Sequence, residues 1–249
     1  YKVEFKVRGK KTSETTITKK NVYVVVVLDK SGSMICDSTI DSYAYSTYNE
    51  AKEASYDYDW WGNRTYFYGE PTSYKAADNS TIYCSHPKKE VNGSIPASGL
   101  LKNKWESAVN GAVNFSSTLL QKIDTAKVSV VTFASDSSSA SAWSTQALTA
   151  SSFGHPVGAT NLSGAIDVAQ NKLASVNDST ADKIMVIIGD GAPTVPSNRP
   201  VNAAYNAATN AKNAGTKIYS IGYEVASGSE AENVLKEIAN DDVVNNGVV

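Results

Sequence analysis

The chain has 249 residues, a formal net charge of −2 at pH 7 and only two cysteines. That length suits one large α/β domain or two small ones, and it is enough to bury a substantial core. The near-neutral balance and the lack of a dense Lys/Arg cluster argue against a nucleic-acid platform. The longest apolar run is far too short to span a bilayer, so no direct membrane insertion is expected.

Residues 1–10 alternate apolar and polar (Val3, Phe5, Val7), which predicts a strand, and the Thr/Lys stretch over 10–20 reads as a hairpin or linker. Residues 1–20 are expected to come from a flanking region. Because this opening is not a signal peptide, the chain is expected to be cut from a longer protein that carries its localisation signals elsewhere. The apolar, mostly β-branched run over 22–28 predicts a strand buried on both faces, as inside a parallel sheet. It ends abruptly in Asp29-Lys30-Ser31-Gly32-Ser33-Met34, a carboxylate followed by hydroxyls at alternate positions. In an open α/β sheet the carboxyl ends of the strands are where ligands bind. Oxygen donors gathered there suit a hard metal ion.

From 35 to 98 no sustained period appears, yet the segment holds nine of the fourteen tyrosines together with Trp60 and Trp61. A structureless loop of that length is improbable in a compact domain, so an inserted subdomain or arm with short strands of its own is expected. Both cysteines, Cys36 and Cys84, lie in it. In a reducing compartment they would be small, inert hydrophobes. In an oxidising one they would staple the segment, a closure worth about 4 kcal/mol in the chain-entropy account. The polar surroundings favour the staple.

A helix is predicted from near Gly99, where Leu100, Leu101, Trp105, Ala108, Val109, Ala112, Val113, Phe115, Leu119 and Leu120 recur at helical spacing. A strand over 127–133 follows, then a Ser-rich stretch over 134–150 with a short strand expected around 140–143. Next come a helix over 161–175 and a second fully apolar strand over 183–188. A helix over 199–214 carries Ala203, Ala204, Ala207, Ala208 and Ala211 as a small-residue packing face, with Gly215 suited to its C-terminal cap. A strand over 217–223 and a helix over 229–239 close the pattern. This alternation predicts an α/β fold, a doubly wound and mostly parallel sheet flanked by helices, over 21–249 with 35–98 inserted.

Three segments converge on one edge of such a sheet: Asp29-Lys30-Ser31-Gly32-Ser33, Gly158-Ala159-Thr160-Asn161-Leu162 and Gly189-Asp190-Gly191-Ala192-Pro193-Thr194. Taken singly, each could be a turn or a helix N-cap. In combination they resemble the von Willebrand factor A (vWA) family and its metal-ion-dependent adhesion site, over about 22–240 apart from the insert. The resemblance implies that Ser31 and Ser33 place hydroxyls directly on a divalent cation. Asp29 and Asp190 would be held nearby, mainly through water, and Thr160 would join when ligand is bound. Oxygen-only donors select Mg²⁺, Mn²⁺ or Ca²⁺, with Mg²⁺ first. Neutral hydroxyls with two outer carboxylates would leave the ion under-neutralised and able to accept a partner's carboxylate. The glycines flanking Asp190 are expected to let the backbone turn sharply. Ala159 stands where a second glycine is frequent in the family, and Gly189 where Thr or Ser often precedes the Asp; neither removes a donor.

Insertions after this loop resemble those of Gram-positive pilus tip adhesins. That likeness implies a non-enzymatic adhesion module on a bacterial cell surface or pilus, part of a larger protein, gripping an acidic residue of an extracellular-matrix or host-surface protein. Tyr56, Tyr58, Trp60, Trp61, Tyr66, Phe67 and Tyr68 are the candidate partner contacts, or else the arm's own small core. His86 and His155 are expected to be structural or solvated. Two alternatives stand beside adhesion. One is an intracellular vWA protein partnering an ATPase or chelatase, with reduced cysteines. The other is a Mg²⁺-dependent phosphotransferase using Asp29 as nucleophile, which needs a second acid where Ser31 stands.

Overall fold

The computed structural model describes residues 19–76, 79–97 and 102–240. The expected strand over 1–10 and the start of the long helix near Gly99 lie outside the described residues. In chain order the elements are β1 (Val22–Asp29), β2 (Ala44–Tyr45), α1 (Tyr48–Glu53), β3 (Tyr56–Tyr58), β4 (Arg64–Phe67), β5 (Thr72–Lys75) and β6 (Thr81–Cys84). They continue with α2 (Lys102–Lys122), β7 (Ala126–Phe133), α3 (Leu162–Ala174), β8 (Asp182–Gly189), α4 (Pro200–Asn213), β9 (Lys217–Gly222) and α5 (Glu230–Ile238).

Four strands form one parallel sheet in the order β7-β1-β8-β9. The apolar run of β1 sits at its middle, and alternate side chains serve opposite layers, as the two-residue period of a strand requires. Val24, Val26 and Leu28 pack with Trp105, Ala108, Val109 and Ala112 of α2. Val25 and Val27 pack on the other face with Ile166 and Ala169 of α3, Ala207 and Ala211 of α4, and Val234 and Ile238 of α5. The small-residue stripe of α4 is buried at Ala204, Ala207, Ala208 and Ala211. Ala203 flanks it, half-buried. Among the described residues no helix is long and apolar enough to cross a membrane.

The chain leaves β1 toward the α2 layer, whereas it leaves the neighbouring β8 toward the α4 layer. A crevice therefore opens between their carboxyl ends, the place where doubly wound sheets hold ligands.

The strand expected over 140–143 does not form. Instead residues 137–144 run antiparallel along the outer edge of β7, with bridges only at Phe133–Ser137 and Val128–Ser144. Between them the Ser138 hydroxyl accepts from the Thr132 N–H (2.9 Å) and the Ser141 hydroxyl from the Val130 N–H (3.0 Å). Hydroxyls standing in for ladder carbonyls protect the sheet edge without any alternation of side chains.

Residues 35–97 carry a three-stranded antiparallel sheet (β2-β6-β5), the β3-β4 hairpin and α1, whose N-terminus is closed by a Thr47/Glu50 capping box. Cys36 and Cys84 are joined in a disulfide with Cα atoms 5.7 Å apart. Both cysteines, with Tyr74, Ala76 and Ile82, belong to the same core as β1 and α2. The root of the arm is thus packed into the α2 layer.

Candidate metal centre

Asp29 is the last residue of β1 and is 1% exposed. Beyond it the chain is pinned by backbone bonds. Lys30 N–H donates to Phe133 O (2.7 Å), Gly32 N–H to Gly158 O (2.9 Å) and Val157 N–H to Lys30 O (2.9 Å). The first and second segments are thereby laced together. Gly158 has φ +101°, and a Cβ there would lie 2.8 Å from Ser135 Oγ, so this position needs glycine. The second and third segments are joined around Thr160. Its carbonyl accepts from the N–H groups of Thr194 (2.9 Å) and Val195 (3.1 Å), and its own N–H donates to Thr194 Oγ1 (3.0 Å).

The capping alternative for these residues fails on geometry. Ser31 precedes the short 3-10 turn Gly32–Met34 but makes no side-chain cap bond. Asn161, not Thr160, caps α3, accepting from Gly164 N–H at 3.1 Å. The hydroxyls of Ser31 and Thr160 are therefore not consumed by helix ends. The structure brings Asp29, Ser31, Ser33, Thr160 and Asp190 together at the β1/β8 crevice, where Ser31, Ser33, Thr160 and Asp190 line one cavity floor and Asp29 stands directly behind Ser31.

A relay of polar contacts runs through these side chains. Ser31 N–H donates to Asp29 Oδ1 (2.7 Å), Ser31 Oγ and Ser33 Oγ are 2.9 Å apart, and Ser33 Oγ donates to Asp190 Oδ1 (3.0 Å). The other Asp190 oxygen is ion-paired with Lys104 of α2, whose ammonium also donates to Ser33 O at 3.2 Å. Gly189 lies against Asp29; a Cβ there would sit 3.2 Å from both Asp29 Cβ and Oδ2. Neither Gly189 nor Gly191 has a positive φ, so close approach to Asp29, not a sharp turn, is what Gly189 provides.

Burial is the main force on Asp29, and together with the charge of Asp190 it raises the Asp29 carboxyl to about 7; the Ser31 hydrogen bonds and Lys104 oppose this only in part. Two carboxylates and one ammonium leave the cluster one positive charge short, which a proton or a cation can supply. The donor set fits a hard cation. Adjacent ligands of Mg²⁺ at about 2.0–2.1 Å in an octahedron stand about 2.9 Å apart, which is the Ser31–Ser33 hydroxyl spacing of 2.9 Å. Because Ser33 donates its proton to Asp190 and accepts that of Ser31, one of its lone pairs is left to face an ion. Among the described residues no three His, Cys, Asp or Glu side chains cluster to hold a metal, and the oxygens gathered at the crevice are hydroxyls backed by separate carboxylates.

Above this floor lies a cavity of about 640 Å³, walled on one side by Asp37, Tyr43 and Tyr45 of the arm's root and on the other by Glu224 and Ser229 before α5. The aromatics singled out from the sequence are placed elsewhere. Tyr56, Tyr58, Trp60, Trp61, Tyr66, Phe67 and Tyr68 belong to or adjoin the β3-β4 hairpin, and none lines the cavity. Tyr56 stacks on Phe67 (4.6 Å between centroids), and Tyr68 donates to Asp57 (2.7 Å). Trp60 and Trp61, at the hairpin turn, are 94% and 83% exposed, and Tyr58 and Tyr66 are also exposed. The sequence reading missed Tyr43, Tyr45 and Lys104. For Lys104 a signal existed, because it lies four and eight residues before Ala108 and Ala112, on the buried stripe of α2.

The family model of the von Willebrand factor type A domain matches residues 98–247, and the chain belongs to that family. The match starts beyond the arm, whose length separates β1 and the Asp29–Ser33 loop from the rest. No curated protein matches the sequence. Among solved structures, the vWF domain of the type V pili tip protein Mfa5 from Porphyromonas gingivalis is similar, with 15% identity and a TM-score of 0.54 over 91% of this chain and 88% of that one. The open conformation of the pilus adhesin SpaC from Lactobacillus rhamnosus GG aligns with 13% identity and a TM-score of 0.52 over 89% of this chain. The aligned part is only 27% of SpaC, and 46% of a fragment holding three N-terminal domains of Mfa5.

Proposed function

We propose that the chain is an adhesion module that grips an acidic residue of a partner protein through a divalent cation, Mg²⁺ first, with Mn²⁺ or Ca²⁺ as substitutes. The observation that carries this reading is the run of oxygens at the crevice, Ser31 Oγ to Ser33 Oγ to Asp190 Oδ1 at 2.9 and 3.0 Å. In this reading Ser31 and Ser33 hold the ion directly. Asp29 and Asp190 orient those hydroxyls and carry the balancing charge, and Thr160 offers a third hydroxyl at the same rim. When bound, the ion supplies a strong positive contact for an incoming carboxylate. The cavity walls formed by the arm's root and the segment before α5 shape the approach, and the exposed face of the β3-β4 hairpin offers a second contact area.

The module belongs, in this proposal, to a larger surface or pilus protein on the outside of a bacterium, and its partner is an extracellular-matrix or host-surface protein. The disulfide supports an oxidising compartment and weighs against the intracellular ATPase-partner reading. The phosphotransferase reading lacks its second acid, since Ser31 stands two residues after Asp29.

Solid-phase binding to a panel of matrix proteins in Mg²⁺ tests this. Retention on one of them should disappear in EDTA and in Asp29→Ala, while far-UV circular dichroism of the variant stays native-like. Binding that survives both treatments would contradict the reading.

A further inference from the structure

Lys104 is an unusual residue to bury. Its side chain is 9% exposed, that of its partner Asp190 is 1% exposed, and among the described residues it is the only Lys, Arg or His lining the cavity. It lies on the described part of α2, two residues after Lys102. Its ammonium is turned onto the cation-site residues, reaching Asp190 and Ser33 O.

We propose that Lys104 is the specificity-determining counter-charge of this site, weakening its hold on the divalent ion and strengthening its hold on a carboxylate. The inference rests on the cation-site reading above. The direct donors are neutral hydroxyls, but counted over the whole cluster the two outer carboxylates and a divalent ion alone would sum to neutrality, so a carboxylate ligand would leave the assembly negative and under-compensated. With Lys104 present, the ion-loaded site keeps one positive charge, and one ligand carboxylate cancels it. Charge buried away from water is tolerated only when compensated, so full compensation is reached only in the ternary complex. Before the ion arrives, the same ammonium compensates Asp190 and holds the Ser33 turn in place.

The test compares wild type with Lys104→Gln, which keeps hydrogen-bonding capacity without the charge, Lys104→Met as a second neutral variant and Lys104→Arg, which keeps the charge. Calorimetric titration with Mg²⁺ should show binding about tenfold tighter or more in either neutral variant, because a like charge close to the ion is gone. Lys104→Arg should stay within about threefold of wild type on the same ground. In EDTA the neutral variants should melt on the order of 5 °C lower, with most of the loss restored by Mg²⁺. With Mn²⁺-loaded protein and acetate as probe, water proton relaxation reports displacement of metal-bound water by carboxylate. The acetate dissociation constant should rise about fivefold or more in the neutral variants.

Equal or weaker Mg²⁺ binding by a folded neutral variant, or undiminished acetate binding, overturns the assignment of Lys104 while leaving the cation site standing. Absence of any divalent-ion binding by wild type overturns both.

Discussion

Asp29 shows how far one residue can be read. Its place at the end of an apolar run marks it as a sheet-edge carboxylate from the sequence alone, but its charge state depends on what the fold gathers around it. Burial and Asp190 raise it to about 7, whereas the unfolded carboxyl titrates near 3.8. A folded value above the unfolded one means that the Asp29 contribution to stability in EDTA is fully present below about pH 4 and is lost as pH rises through about 7. The difference in melting temperature between wild type and Asp29→Asn in EDTA should therefore change over that window and flatten outside it. In Mg²⁺ the sign should reverse, because the proposed cation site uses the carboxylate. Calorimetric Mg²⁺ affinity should weaken up to about tenfold per pH unit below 7 and level off above it. An affinity flat from pH 5.5 to 8 would remove Asp29 from the site.

Lys104 teaches the opposite lesson at this scale. Its buried spacing is visible in the sequence, yet nothing local says that its ammonium meets a carboxylate 86 residues away.

At the level of elements, β1 and β8 were legible because strands buried on both faces are written as unbroken apolar runs, and α4 because its small residues repeat at helical spacing. The edge over 137–144 was not, because Ser138 and Ser141 pair with β7 through their hydroxyls, which leaves no period to read. Within 35–97 the strands are two to four residues long, too short for any alternation to stand out.

Replacing both cysteines with Ser should lower unfolding free energy by about 3 kcal/mol in denaturant titrations, because the bond ties together segments 48 residues apart in sequence that share the α2 core. A change below about 0.5 kcal/mol would mean that packing alone holds the root of the arm. At the hairpin turn, Trp60→Ala with Trp61→Ala should leave stability within about 0.5 kcal/mol, since neither ring is buried. The same pair should weaken retention on the matrix protein identified by solid-phase binding. Retention unchanged by that pair would confine the partner contact to the cavity rim, where Tyr43 and Tyr45 stand.

For the whole molecule, the doubly wound sheet explains why three segments far apart in sequence form one site. Asp29 ends β1, Asp190 follows β8, and their chains diverge to opposite helical layers, which opens the crevice between them. Thr160, just ahead of α3, closes the third side. The alternation of strands and helices and the parallel sheet were legible in advance; the order of the strands across the sheet was not, nor were the walls of the cavity, because they come from the arm's root and from the turn before α5.

The central claim is that this crevice holds one divalent cation on the hydroxyls of Ser31 and Ser33. Calorimetric titration of the purified chain with Mg²⁺, beside the Ser31→Ala/Ser33→Ala double variant, tests it most directly. The account predicts one ion per wild-type chain and affinity lowered about a hundredfold or more in the variant, with a native-like far-UV circular dichroism spectrum in EDTA. No binding by wild type, or undiminished binding by the double variant, would contradict it.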